Sequence, residues 1–229
     1  MKNDIINIGL PSKGRLKENT LKIFKRKKLN ITSERGERDL FGYIKKLPNT
    51  KIIYLHAREC IEQLSLGNID IGFSGYDLLR ESEFNIQKNI LIKKRLNFGH
   101  ATVVLAIADL WLDVQTLLDL DEVAEEFKKK KKRLLRVATK YPNLTRQFLY
   151  SKGVTQFQLV KSLGSTEVAP YTQISEVISD ITSTGATLKA NNLRVLKDGE
   201  ILKSQACLMI SKFSLKKAGI KKIINLLSK

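Results

Sequence analysis

The chain alternates between short runs of β-branched and apolar residues and longer segments whose apolar residues recur every three or four positions. Runs of the first kind are typical of buried strands, and the second spacing is typical of amphipathic helices. The alternation therefore predicts an α/β fold with largely parallel sheets. The predicted strands are INIGLPS, KIIYLHA, IDIGFSG, NILIKKRL, ATVVLAIA, LLRVATK, FQLVKSLG and QACLMIS.

Predicted helices separate most of these strands, and several carry an end signal such as Gly67 or Gly153. ISEVISDI is assigned to a helix because its apolar residues between Ile174 and Ile181 fall at positions i, i+3, i+4 and i+7. The predicted helices are GRLKENTLKIFKRKKL, RECIEQLSLG, YDLLRE, TLLDLDEVAEEF, PNLTRQFLYSKG, ISEVISDI and LKKAGIKKIINLLSK.

The order of elements predicts two lobes. The turn NFGH marks the entry into a second lobe of residues 100–196, and a return near Leu196 lets the last strand and helix complete a first lobe of residues 1–99 plus 197–229. Two α/β lobes joined by two crossings form a cleft with walls from both, which is a natural substrate site. The expected architecture is that of type II periplasmic binding proteins.

Positive charge dominates the composition, with 41 Lys and Arg against 23 Asp and Glu and a formal net charge of +18. Such an excess invites a nucleic-acid partner. However, the cations are mostly lysines scattered along the chain, and only 7% of the residues are aromatic. Nucleic acid is therefore disfavoured, and the dense run FKKKKKR is interpreted as the solvated end of a helix.

Other functional classes are also disfavoured. The longest clean apolar run, Val103 to Ala108, is too short to span a bilayer, and the N-terminal sequence has no signal-peptide pattern, so we expect a cytoplasmic protein. Cys60 and Cys207 are expected to be buried free thiols. With only His56 and His100 present, and no GxSxG, HExxH, Walker A or GxGxxG motif, no metal ligand or histidine triad is identified.

A Thr-Gly-x-Thr turn at residues 184–187 is the clearest candidate for ligand chemistry. Thr184 can cap a short helix, Gly185 allows close approach of the backbone, and hydroxyl and N–H groups can then converge on one anion. Asp180 and Glu167 cannot attract a phosphate, but they can accept hydrogen bonds from a ribose diol. The set suits a phosphorylated sugar, with an ordinary capped turn as the alternative.

The turn resembles the phosphoribosyl-pyrophosphate loop of type I phosphoribosyltransferases, in which two acids precede TTGxT. In that family the acids end an apolar strand. Here the spacing before Asp180 predicts a helix, and Ser179 stands in place of the first acid. We therefore predict a different fold.

Four motifs in order resemble ATP phosphoribosyltransferase, the first enzyme of histidine biosynthesis. They are LPSKGRL, GNIDIGFSGYDLL, RVATKYPNLTRQF and EVAPYTQISEVISDITSTGATL, and the resemblance covers about Ile5 to Ser211. Two positions depart from the family pattern. The family usually has glycine where this chain has Gln173, and it often has Asp-Ile-Pro after the residue corresponding to Arg58.

The resemblance implies transfer of a phosphoribosyl group from phosphoribosyl pyrophosphate to N1 of the adenine of ATP, with release of pyrophosphate and with Mg²⁺. Glu167 and Asp180 would hold the ribose hydroxyls. The 5′-phosphate would be bound by Thr184, Gly185, Ala186 and Thr187.

Bond cleavage at C1 builds positive charge on the sugar and negative charge on the leaving pyrophosphate, so cations are needed more than a strong base. Lys13 and Arg15 are the candidate catalytic cations. Arg58, Gly75 and Asp77 are assigned to the ATP side, although surface cations and a capped turn are the alternative interpretations of these residues.

Because longer family members carry a C-terminal regulatory domain, the resemblance implies the short form, which works in a hetero-oligomer with a regulatory subunit resembling histidyl-tRNA synthetase. A two-lobed small-anion binding protein without turnover is the main alternative function.

Overall fold

Two mixed β-sheets organise the chain, one in each of two units. The computed structural model describes residues 5–33 and 39–228. The first unit comprises Met1–Gly99 and Gln205–Lys229, and the second comprises His100–Ser204. The chain returns to the first unit at Gln205, later than the expected Leu196, because the last strand of the second unit continues to Ser204.

The elements alternate along the chain much as the sequence pattern indicates. The strands are β1 (Ile6–Pro11), β2 (Ile31–Thr32), β3 (Phe41–Ile44), β4 (Leu47–Leu55), β5 (Ile71–Gly75), β6 (Ile90–Arg95), β7 (Ala101–Ala108), β8 (Leu135–Thr139), β9 (Phe157–Lys161), β10 (Val177–Thr182), β11 (Leu193–Ser204) and β12 (Ala206–Ser211). The helices are α1 (Gly14–Arg26), α2 (Ala57–Leu66), α3 (Tyr76–Glu81), α4 (Phe84–Gln87), α5 (Leu117–Lys131), α6 (Pro142–Ser151), α7 (Ala186–Ala190) and α8 (Ile220–Ser228).

The sheet of the first unit has the order β2-β3-β4-β1-β5-β12-β6. Strands β4, β1 and β5 run parallel, whereas β12 is antiparallel to both of its neighbours. One face packs against α1 and α8 through buried residues such as Phe24 and Ile220, and the other packs against α2 through Ile61 and Leu64. This burial on both faces explains why the central strands are continuously apolar.

The sheet of the second unit has the order β11-β7-β10-β8-β9. Strands β10, β8 and β9 run parallel, whereas β7 is antiparallel to β10 and β11. The prediction of largely parallel sheets is therefore wrong, because both sheets are mixed. Each sheet nevertheless contains three parallel strands, whose carboxyl ends lie at one edge of the sheet. The candidate site residues follow these strand ends.

The helix predicted across Ile174 to Ile181 is wrong, since Val177–Thr182 forms the central strand β10. Val177 packs into the core beside α5 and α6, whereas Ile178 packs into the core beside α7. A strand buried on both faces is apolar at nearly every position, so some of its apolar residues also fall at helical spacing by chance. The argument from spacing against a strand-borne phosphoribosyl-pyrophosphate loop therefore fails.

Several smaller predictions are confirmed. Lys128 to Lys131 form the last turn of α5, and Lys132 ends that helix with a φ of 54°. Cys60 in α2 and Cys207 in β12 are buried free thiols, and burial raises the pKa of Cys60 to about 12 and that of Cys207 to about 11. The sequence pattern did not reveal β2, β3, α4 or β11.

Candidate active site

In the first unit, the predicted site residues follow the carboxyl ends of the three parallel strands. Lys13 and Arg15 follow β1, Arg58 follows β4, and Gly75 and Asp77 lie at the junction of β5 and α3. The edge at the carboxyl ends of parallel strands is where α/β folds commonly bind ligands. The topology therefore gathers these five residues at one edge.

Lys13 and Arg15 lie at the start of α1 with exposed side chains. Between them Gly14 has a φ of 72°, a conformation that glycine enters without strain. The N–H of Ser12 donates to the carbonyl of Leu55 at 2.8 Å, which ties this loop to the end of β4. Positive side chains at the start of a helix are unfavourable for its dipole, so their placement is better explained by an anionic ligand than by helix stability.

Gly75 allows Asp77 to lie close to the end of β5. A Cβ atom at position 75 would approach the Asp77 Oδ1 to 2.3 Å, so any larger residue would displace this carboxylate. Asp77 is buried, and the neighbouring Tyr76 ring lies under the Arg95 guanidinium at 4.5 Å. Arg95 ends β6, which is parallel to β5 through the intervening β12, and is a cation at this edge that the sequence pattern did not reveal.

In the second unit, the carboxyl ends of β8, β9 and β10 form a corresponding edge. Lys140 follows β8, the 3₁₀ turn Thr166–Val168 containing Glu167 follows β9, and Asp180 lies near the end of β10. The loop 183–185 and α7 come directly after β10. Topology thus brings both predicted carboxylates and the Thr-Gly-x-Thr turn to one edge.

Buried apolar contacts hold the two predicted segments against β10. Ala169, just after the 3₁₀ turn, lies in the same core cluster as Ile178 of β10 and Leu188 of α7. Ile178 and Asp180 share one face of the strand, because alternate residues of a strand point to the same side. The turn with Glu167 and the loop before α7 are therefore both anchored on the face that carries Asp180.

Asp180 is 7% exposed, and each of its oxygens has an interaction. Oδ1 accepts the N–H of Ile181 at 2.8 Å, and Oδ2 lies 3.7 Å from the ammonium of Lys140. A buried carboxylate needs such partners because an isolated charge is costly away from water. Lys140 was not among the residues predicted for the site.

A network of buried hydroxyl groups lies on the opposite face of the same strands. Thr145 of α6 donates to the Ser179 Oγ at 2.8 Å and lies 3.2 Å from the Thr139 Oγ1. The Thr139 Oγ1 also accepts the N–H of Tyr141 at 2.8 Å. Because buried polar groups are costly to leave unpaired, this network fixes α6 and the ends of β8 and β10 in register.

The Thr-Gly-x-Thr turn is held by hydrogen bonds from backbone N–H groups to threonine hydroxyl oxygens. Gly185 has a φ of 75°, with open space where a Cβ would lie. Its N–H donates to the Thr182 Oγ1 at 2.8 Å, and the N–H of Ala186 donates to the Thr184 Oγ1 at 3.3 Å. Each of these threonine oxygens thus accepts a backbone bond, which leaves its hydroxyl proton to donate toward a ligand. Thr184, Ala186 and Thr187 are exposed.

Glu176, next to β10, forms an ion-pair cluster that the sequence pattern did not predict. Arg136 donates to its Oε1 at 2.6 Å, and Arg133 donates to the same oxygen at 2.9 Å. Burial raises the pKa of Glu176, but the hydrogen bonds from Arg136 and Arg133 outweigh burial and lower the pKa to about 2. The cluster precedes β10, at the end of the sheet away from Asp180, so its role is structural.

The positive charge of the chain is concentrated in one unit. Residues of the first unit include 26 Lys and Arg against 11 Asp and Glu, a net +15, whereas the second unit has 15 against 12, a net +3. A field of this sign attracts polyanionic ligands toward the first unit. The second unit has a small net charge, so binding of an anion there depends more on individual cationic side chains.

The profile of the HisG family, described as ATP phosphoribosyltransferase, matches residues 56–229. The chain belongs to the ATP phosphoribosyltransferase family.

Relatives in this family are similar over most of the chain. It is 48% identical over 205 residues to an ATP phosphoribosyltransferase of Nitrobacter winogradskyi, covering 90% of this chain and 63% of the relative. It is 46% identical over 209 residues to one of Mesorhizobium japonicum, covering 91% and 90%. This chain thus spans less than two thirds of the first relative and most of the second.

Solved structures support the two-lobed α/β fold. The ATP phosphoribosyltransferase (HisG:HisZ) complex of Thermotoga maritima matches with a TM-score of 0.73 and 25% identity over 97% of this chain and 96% of that chain. The amino-acid ABC transporter binding protein YtmK of Bacillus subtilis matches with a TM-score of 0.53 and 13% identity over 98% and 92%. The second likeness shows the fold alone and confirms the predicted type II binding-protein architecture.

Gln173 departs from the family pattern, which usually has glycine there, and the structure shows what that position requires. Its φ is 57°, in the left-handed region that glycine enters easily. Glutamine therefore keeps the glycine-like path at the cost of local strain. The following segment still reaches β10, since the N–H of Ile174 donates to the carbonyl of Ala169 at 3.1 Å.

Two further observations concern metal ions and membranes. Among residues 5–33 and 39–228, no cluster of three or more His, Cys, Asp or Glu side chains is arranged to hold a metal ion. In the same residues, no helix has the length and hydrophobicity required to cross a membrane.

Proposed function

We propose that this chain joins N1 of the adenine ring of ATP to C1 of 5-phosphoribosyl 1-pyrophosphate, giving phosphoribosyl-ATP and pyrophosphate in the first step of histidine biosynthesis. The observation that carries the proposal is the edge of the second unit, where Asp180, Glu167 and the turn 184–187 come together in a member of this family. The roles of individual residues follow from their chemistry.

The turn of Thr184, Gly185, Ala186 and Thr187 would bind the 5′-phosphate. Gly185 leaves open space for a phosphate oxygen, and the exposed hydroxyls of Thr184 and Thr187 can donate to it. The backbone bonds that Thr182 and Thr184 accept hold the turn in place before a ligand arrives. Preorganised donors lose less entropy on binding than mobile ones.

Asp180 and Glu167 would hold the ribose hydroxyls. Asp180 keeps a fixed orientation through the N–H of Ile181, and both carboxylates can accept hydrogen bonds from a sugar diol. As the bond at C1 breaks, positive charge grows on the ribose. Nearby carboxylates favour that charge more in the transition state than in the ground state, which is the condition for catalysis.

The cations of the first unit would act on the pyrophosphate and on ATP. Lys13 and Arg15 are exposed at the start of α1 and would stabilise the negative charge of the leaving pyrophosphate. Arg58, Gly75 and Asp77 would line the ATP side, with the buried Asp77 shaping the strand end beside Gly75.

Mg²⁺ would reach the site bound to the pyrophosphate of the substrate. Magnesium is commonly held by substrate phosphates with one or two carboxylates rather than by a protein cage, and the acids available at the edge of the second unit are Asp180 and Glu167. When bound, it would neutralise charge on the leaving pyrophosphate.

A solved relative supports a proposal about the partner of this chain. The solved relative from Thermotoga maritima is a HisG:HisZ complex. We propose that this chain likewise assembles with a regulatory subunit, similar to histidyl-tRNA synthetase, in the cytoplasm. Its substrates, ATP and phosphoribosyl pyrophosphate, are polyanions that match the positive first unit.

The decisive assay incubates the protein with ATP, phosphoribosyl pyrophosphate and Mg²⁺, with and without the regulatory subunit, and measures phosphoribosyl-ATP and pyrophosphate. Asp180→Asn, which keeps the shape of the side chain, and Thr187→Ala should each weaken phosphoribosyl-pyrophosphate binding by about tenfold while leaving the melting temperature within a few degrees. Asp113→Asn and Thr155→Ala change exposed residues of the same unit and serve as matched controls. Absence of product under both conditions would refute the proposal.

A two-lobed binding protein for small anions is the second candidate, because the fold is shared with amino-acid binding proteins. The two candidates differ in turnover. Ligand binding without any pyrophosphate release would favour the binding protein.

A further inference from the structure

We infer that Lys140 is a further substrate-binding residue, which contacts the 5′-phosphate of the sugar and so allows an anion to bind beside two carboxylates. The inference rests on the proposed function and concerns the same site.

The position of Lys140 supports this role. It follows the carboxyl end of β8, the strand adjacent and parallel to β10, and its Nζ lies 3.7 Å from the Asp180 Oδ2. The Lys140 side chain is 39% exposed, whereas that of Asp180 is 10% exposed. The ammonium therefore lies between a buried carboxylate and solvent, at the edge from which a ligand would approach.

Charge balance is the main argument. The proposed site contains two carboxylates, Asp180 and Glu167, and the turn 184–187 offers only hydroxyl and N–H groups. A sugar phosphate adds roughly two further negative charges at neutral pH. Like charges this close repel strongly when partly shielded from water, so a nearby cation is required for tight binding.

Lys140 meets that requirement better than the other lysines at this edge. Lys161 ends β9 and is exposed. Lys189 belongs to the last turn of α7 and is exposed. Lys140, by contrast, is ion-paired to a site carboxylate. At 3.7 Å the pair is an ion pair rather than a short hydrogen bond, and a lysine ammonium is a point charge that can interact with a carboxylate and a phosphate together.

The backbone of Lys140 is also held in place. Its neighbours Thr139 and Tyr141 are linked by the bond from the Tyr141 N–H to the Thr139 Oγ1, and Thr145 joins Thr139 to Ser179 beside Asp180. The buried hydroxyl network thus sets the relative position of Lys140 and Asp180. Such support is expected of a binding residue whose geometry matters.

The test measures binding of phosphoribosyl pyrophosphate and of ribose 5-phosphate by calorimetry, for the wild-type chain and for Lys140→Met, Lys140→Arg and the control Lys128→Met. Lys128 is an exposed lysine of α5. Both ligands carry the 5′-phosphate, so Lys140→Met should weaken both by at least about tenfold. Lys140→Arg should recover part of the loss, and Lys128→Met should bind as the wild type does.

The remaining results are equally informative. If Lys140→Met melts at the wild-type temperature but binds phosphoribosyl pyrophosphate within twofold of wild type, the inference is wrong. If it loses phosphoribosyl pyrophosphate but not ribose 5-phosphate, the assignment to the 5′-phosphate is wrong. If Lys140→Met fails to fold, the charge-removing variant Lys140→Gln takes its place, and binding of both ligands within twofold of wild type by folded Lys140→Gln contradicts the inference. Failure of the wild-type chain to bind either ligand would instead refute the proposed function.

Discussion

Replacing Glu176 with glutamine tests whether the cluster of Glu176, Arg133 and Arg136 stabilises the second unit. The substitution keeps the shape of the side chain and removes its charge. The guanidinium groups that donate to Glu176 at 2.6 and 2.9 Å would then lose an ionic acceptor. We expect lower stability at neutral pH and a weaker dependence of stability on acid.

The magnitude follows from the lowered pKa of Glu176. Its value falls from 4.5 to about 2, and each tenfold change in a proton equilibrium corresponds to about 1.4 kcal/mol, so the upper limit is about 3 kcal/mol. The side chains of Arg133 and Arg136 are 38% and 27% exposed, and water screens the pair. We therefore expect a loss of about 2 kcal/mol at pH 7.

The lowered pKa of Glu176 also determines how the stability of the chain changes with pH. The pKa of Glu176 is lower in the folded than in the unfolded chain, so the unfolded state takes up a proton first as the pH falls. The stabilisation is complete above about pH 4.5 and is lost as the pH falls toward about 2. The glutamine variant should lack this component.

The assay is urea unfolding between pH 7 and pH 3, followed by fluorescence of Trp111. This is the only tryptophan of the chain, and it lies in the second unit, 6.3 Å from the ring of Phe127. Glu122→Gln, which changes an exposed carboxylate on α5, is the control. Parallel loss of stability in wild type and Glu176→Gln between pH 5 and pH 3 would refute the reasoning.

Two further substitutions test features of the fold. Gln173→Gly should raise the free energy of unfolding by about 0.5–1 kcal/mol, because relief of the left-handed strain at φ 57° exceeds the entropy cost of glycine. Thermal unfolding measures the change, and a lower melting temperature would contradict this expectation. Asp70→Ala should lower the free energy of unfolding by about 3 kcal/mol, as measured by urea unfolding followed by circular dichroism. Asp70 is fully buried, and it accepts hydrogen bonds from the Asn7 N–H at 2.7 Å and from the Lys217 ammonium at 2.8 Å. Glu62→Ala, at an exposed position of α2, is its control, and equal losses from both would show that the buried contacts contribute nothing.

The sequence pattern predicted elements such as β5 and α6 because their ends have local signals. Gly75 marks the end of β5, and Pro142 and Gly153 mark the ends of α6. The candidate residues at those ends follow from short motifs. Their gathering at one edge then depends only on the parallel order of the strands.

Features that depend on distant residues could not be found in this way. The pairing of Lys140 with Asp180 and that of Arg136 with Glu176 each join β8 to the region of β10, about 40 positions later in the chain. The strand β10 was mistaken for a helix because its two faces enter two different cores. No local spacing contains that information.

The position of β12 in the first sheet affects the order in which the nascent chain can fold. In the first sheet β12 lies between β5 and β6, yet it leaves the ribosome after every other strand of the described residues. Residues 100–204 of the second unit are complete before then, while β6 still lacks the neighbour with which it pairs. The first unit therefore completes its sheet only after the strands of the second unit have been synthesised, and a nascent chain that stops short of Ala206 presents two unpaired strand edges, which are prone to aggregation.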